Sequence, residues 1–167
     1  MSQIITQRMT ATLDAPEFVV FLIGARVNRW WRFHRWFPVL STMPKMLAEL
    51  KANPELGMLG YEQAFGRTSL MVQYWKSLTH LLDYAKARDS QHLPAWREFN
   101  RRIGSNGDVG IWHETYIVKQ GNYENVYHNM PAFGLGRVGT LTPVGRRHAG
   151  STESAAERIA VNSGTPA

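Results

Sequence analysis

The sequence contains no cysteine. That excludes a disulfide framework, a thiolate nucleophile, cysteine-ligated zinc and an iron–sulfur cluster, and it fits a cytoplasmic location. Charge is sparse as well. Asp, Glu, Lys and Arg make up 19% of the residues, so the polar surface has to lean on Gln, Asn, Ser and Thr. Acidic groups are the scarcer kind, 13 against 19 basic ones, for a formal charge of +6. No apolar run approaches the ~20 residues that span a bilayer. The longest uncharged one covers residues 18–25. No basic stretch precedes a hydrophobic one at the N-terminus, so no signal peptide is expected. No segment repeats at a fixed period.

What is present suffices for one globular domain. Hydrophobic residues make up 44% of 167 and aromatic residues 11%, enough for a real core. Arginine dominates the basic residues, which suits bidentate anion recognition or stacking on aromatics, or else reflects coding bias.

Residues 1–15 are polar and Thr-rich and read as an N-terminal arm. Residues 18–28 are β-branched and aromatic with apolar groups on both faces, which predicts a central strand. Polarity enters that strand only at its end, through Arg26 and Asn28. A helix is expected from Pro38 onward, with Leu40, Met43, Leu47 and Leu50 on one face and Pro44 awkward within it. Two strands at 58–65 and 69–75 flank Gly66-Arg67-Thr68, a hairpin signal. Ser77 caps the next helix, which carries Leu78, Leu81, Leu82 and Ala85. A further helical segment starts near Pro94, a strand follows over 108–119, and 123–130 is expected to add a fifth. Residues 16–145 thus form the domain, and the small, polar residues 146–167 read as a flexible tail. The order βαββαβ plus an extra strand is that of an α+β, ferredoxin-like fold with both helices on one face of an antiparallel sheet. An apolar central strand then needs its helix-free face covered, most simply by a second copy in a homodimer.

Tyr74-Trp-Lys-Ser77, Tyr84-Ala85 and His92-Leu-x-Ala-Trp96 resemble the antibiotic-biosynthesis monooxygenase superfamily. Phe65-Gly-Arg67, the run from Asn106 to Tyr116, and Tyr127-x-Asn-Met-Pro-x-Phe-Gly-Leu-Gly136 are similar to a narrower group within it. That group is the fumagillin-pathway monooxygenase-like family, formerly a domain of unknown function. The resemblance implies a dimeric α+β barrel with a pocket between sheet and helices. It also implies a small hydrophobic, polyketide- or terpenoid-like substrate. Cofactor-free oxygenation of activated carbon acids is the best-known chemistry of the superfamily, while haem binding and haem-dependent reactions occur on relatives. Haem is therefore the alternative cofactor, and a non-enzymatic ligand carrier is a second alternative.

Val109, Ile111, His113, Thr115 and Ile117 share one face of the strand over 108–119. That face is expected to look into the pocket. His113 is then a general base or hydrogen-bond donor, or else a core histidine bonded to a carbonyl. Arg26 and Asn28 are the expected catalytic donors to a developing oxyanion, unless Arg26 pairs with Glu62 or Glu114. Trp75 offers a flat wall to a substrate or packs in the core, and Tyr74, Trp96 and Thr115 are further substrate contacts. His92, on the apolar stripe one turn before Trp96, is a haem ligand by resemblance, a substrate contact, or structural; His113 is the other haem candidate. No metal site is expected. The segment from Arg29 to Phe37 interleaves arginines with Trp and Phe. It reads as a lid over the pocket or as a peripheral membrane contact. Without an RNA-binding signature it gives no reason to expect nucleic acid.

Overall fold

The computed structural model of the chain describes residues 3–41, 43–87, 101 and 106–144. The elements are β1 (Met9–Thr12), β2 (Glu17–Val27), α1 (Phe33–Leu40), α2 (Met43–Ala52), a 3₁₀ turn (Pro54–Leu56), β3 (Met58–Ala64), β4 (Leu70–Trp75), α3 (Leu78–Lys86), β5 (Val109–Lys119), α4 (Leu135–Val138) and β6 (Thr140–Pro143). A four-stranded sheet runs in the order β3-β4-β2-β5, and β1 and β6 pair separately. The four-strand order is the ferredoxin-like one, and the fold is α+β as expected.

The chain divides into two compact units, Val19–Tyr116 and Met1–Phe18 with Ile117–Ala167. In the first, β2 pairs antiparallel with β4 (Val19↔Trp75, Phe21↔Gln73, Ile23↔Met71). The β3–β4 hairpin closes at Ala64↔Leu70. Phe21 and its alternate neighbours therefore share a face with Met71, Gln73 and Trp75. That face carries the core, in which Val19 and Trp75 meet Leu50 of α2 and Leu81 and Tyr84 of α3. Ser77 Oγ caps α3 by accepting from the His80 backbone N–H. Helix α1 begins at Phe33, so Pro38 lies in its interior; Pro44 is the proline in a first turn, that of α2, where its missing N–H costs nothing. The helix start expected at Pro38 is corrected accordingly.

The second unit joins the two ends of the chain. Residues 9–12 of the expected arm form β1, whose Ala11 sits opposite Leu141 of β6. The strand expected over 123–130 does not form. Tyr127 and Met130 make single bridges to Met9 and Ile5. The Asn125 amide takes a strand's place by accepting from the Ala11 N–H at 2.6 Å and donating to its carbonyl at 2.9 Å. The extra strand is thus β6, paired with a partner some 130 residues away in sequence. The helix expected from Pro94 lies outside the described residues, save Arg101, and residues 146–167 lie outside them entirely.

Candidate active site

The helix-covered face of the sheet carries one row of candidate side chains. Tyr61 of β3 sits opposite Gln73 of β4, and Gln73 sits opposite Phe21 of β2. The Phe21 ring lies 5.7 Å from the His113 imidazole of β5. Gln73 and His113 are two strands apart, about 10 Å between backbones at the usual spacing.

Gln73 is buried. Its Oε1 accepts from Trp75 Nε1 at 2.9 Å, and its Nε2 faces the Met71 thioether at 3.2 Å. Sulfur is a weak acceptor, so the Met71 contact is the weaker of the two. Tyr84 lies above this face, its ring 5.8 Å from Trp75 and its hydroxyl donating to Glu49 at 2.9 Å. Burial, then the hydrogen bond and charge of Glu49, push the phenol far above its ordinary value.

His113 lies on the face the alternation predicts, but it is exposed rather than enclosed. The reason is topological: β5 is an edge strand, and the described helices α2 and α3 pack over β2 and β4. Thr115, further along the same face, is exposed too. Trp75 is 1% exposed and belongs to the core. Tyr74, its chain neighbour, is half-buried on the opposite, helix-free face across from Val20. Trp96 and His92 lie outside the described residues.

Arg26 and Asn28 do not join His113. They alternate with Phe21 and Ala25, so they lie on the helix-free face, where Gly110 approaches both. Arg26 Nη1 donates to Thr68 Oγ1 at 2.9 Å, in place of the expected pairing with Glu62 or Glu114. Glu114 accepts instead from the Tyr116 hydroxyl at 2.5 Å. Asn28 Nδ2 donates to the Gly107 carbonyl, and its backbone N–H to the Asp108 carbonyl at 3.0 Å. These contacts fix the end of β2 against the start of β5.

The same junction carries an arginine cluster. Asp108 is fully buried, and Arg29, Arg32 and Arg35 place Nη1 atoms 2.9, 3.3 and 3.5 Å from its carboxylate. Burial alone would raise that carboxyl; hydrogen bonds and charge from Arg32 and Arg29 outweigh it and hold Asp108 below the usual carboxylate range. Sequence reading missed both Gln73 and Asp108. The signal for Gln73 was present, because it alone breaks the apolar parity of Met71 and Trp75.

Comparison with known proteins bears on the family and the fold. A family described as Monooxygenase af470-like matches residues 18–135. Monooxygenase af470 of Aspergillus fumigatus is 34% identical over 94 residues, 53% of this chain and 33% of the relative. The chain thus spans about a third of that relative's length. Among solved structures, aldoxime dehydratase (OxdRE) in complex with butyraldoxime superposes with a TM-score of 0.64 at 16% identity, over 84% of this chain and 42% of that one. SnoaB, a cofactor-independent oxygenase from Streptomyces nogalater, gives 0.44 at 12% identity, over 62% of this chain and 95% of that one. The aldoxime dehydratase likeness supports the fold alone. The family match covers well over half of the 167 residues, and the chain belongs to the Monooxygenase af470-like family.

Proposed function

We propose that this chain is a monooxygenase-like enzyme for a small hydrophobic, polyketide- or terpenoid-like substrate with an activated methylene, and that it needs no cofactor. The observation that carries this reading is the Phe21–His113 pair on the helix side of the sheet, in a chain of this family. The Phe21 ring is the apolar wall and His113 the acid–base group, while Gln73 is buried and holds the Trp75 indole in the core.

The chemistry balances without an external reductant. A methylene and O₂ become a carbonyl and water. His113 takes a proton from the methylene, and the electron pair left on carbon reduces O₂. A carbon–oxygen bond forms, the O–O bond breaks, and the second oxygen leaves as water with both methylene hydrogens.

The described residues do not fit a buried haem. The space beneath the helices is filled by Val19, Leu50, Trp75, Leu81 and Tyr84, so a flat macrocycle would displace the core. His113, the described imidazole on that face of the sheet, lies at the surface. A second copy covers the helix-free face, where Val20, Leu22, Val72 and Tyr74 are half-buried and Tyr116 is exposed.

Oxygen uptake with anthrone as probe tests the role of His113. His113→Ala, at an exposed position, leaves folding within about 0.5 kcal/mol. It lowers uptake by ~10²-fold if His113 moves the proton. Undiminished uptake by the folded variant overturns the assignment.

A further inference from the structure

We infer that α1 and the β3–β4 hairpin tip form a docking surface for a membrane containing anionic lipid. A surface helix ordinarily turns its apolar stripe inward. Helix α1 and the turn before it do the reverse. Arg29, Arg32 and Arg35 face the protein, held by Asp108, and Trp36 packs on Val109. Trp36 Nε1 also donates to the Trp30 carbonyl at 2.8 Å, which locks the turn that leads into the helix. Outward go Trp30, Trp31, Phe33 and Phe37, exposed by 73, 60, 66 and 62%. Four rings of ~150–250 Å² each, more than half exposed, make an apolar patch of at least ~300 Å², the size at which a surface patch marks an interaction site.

A fifth ring extends it. The Val27 N–H donates to the Arg67 carbonyl at 3.2 Å, so the hairpin tip stands beside the end of β2 from which this segment departs. Phe65, on that tip, is 82% exposed.

Charge selects the occupant. Among the described residues three guanidiniums share one carboxylate, which leaves two positive charges uncompensated within the cluster, and each arginine side chain keeps 40–43% of its surface open. Exposed Trp and Phe beside arginines whose stems are partly covered is the pattern of a segment that lies in the headgroup region of an anionic membrane. The inference does not rest on the proposed activity.

Co-sedimentation of the full chain with phosphatidylcholine vesicles, with and without 30% phosphatidylglycerol, tests it. The expected result is binding to the anionic vesicles that weakens in pure phosphatidylcholine and in high salt. The triple variant Trp30→Ser, Trp31→Ser, Phe65→Ser should bind at least about tenfold more weakly, with its circular dichroism and elution volume unchanged. Quenching of the wild-type tryptophans by brominated lipid reports the same insertion without any substitution. Failure of the chain to bind vesicles, full binding by the folded variant, or no quenching overturns the inference. So does conversion of the variant to a smaller oligomer, which would make this patch a protein interface.

Discussion

Asp108 is the residue whose removal says most about how the α1 segment is held. Its carboxyl lies below its ordinary value in the folded chain, so its stabilisation is present above about pH 4 and fades as pH falls through the folded value. Asp108→Asn should therefore melt several degrees lower at pH 7, and the gap to wild type should close towards pH 3. An equal gap at both pH values would contradict this. None of it was legible in the sequence, since Asp108 reaches its three arginines across more than 70 positions. The face of His113 was legible because strand alternation is local, whereas its exposure depends on β5 being an edge strand. Alternation also separates Arg26 and Asn28 from the Phe21 side, and applying it across β2 and β5 together would have kept them apart from His113.

At the scale of elements, the central strand, the hairpin and the capped α3 were readable within a residue or two, because each is set by local pattern and turn chemistry. The β1–β6 pairing was not, since nothing local tells a short Thr-rich segment which distant partner it meets. Gly24 marks where two elements approach too closely for a side chain. A Cβ there would collide with the Ser69 carbonyl oxygen of the hairpin and stand 2.7 Å from Trp112 Nε1. Gly24→Ala should thus cost ~1–3 kcal/mol in a denaturant melt, the range for overpacking. A change below 0.5 kcal/mol, the size of a neutral surface substitution, would show that β2 and β4 separate easily at this point.

For the whole molecule, the helix-free face predicts a particle of twice the 19.0 kDa chain mass by light scattering. Its interface should bury more than ~1,200 Å² in total. Tyr116→Arg, at the exposed centre of β5, should shift it towards monomer. A wild-type monomer at micromolar concentration would contradict the covered-sheet account. A dimer through the sheet face and lipid binding through α1 and the hairpin tip would use separate surfaces, so each test stands alone. The central claim, cofactor-free oxygenation, is tested most directly by isotope. The metal-free protein is given anthrone under ¹⁸O₂, and the product is weighed by mass spectrometry. The account predicts one ¹⁸O atom in the new carbonyl, one water formed per O₂ consumed, and loss of both in His113→Ala. A product without the label, or labelled equally by the His113 variant, would contradict it.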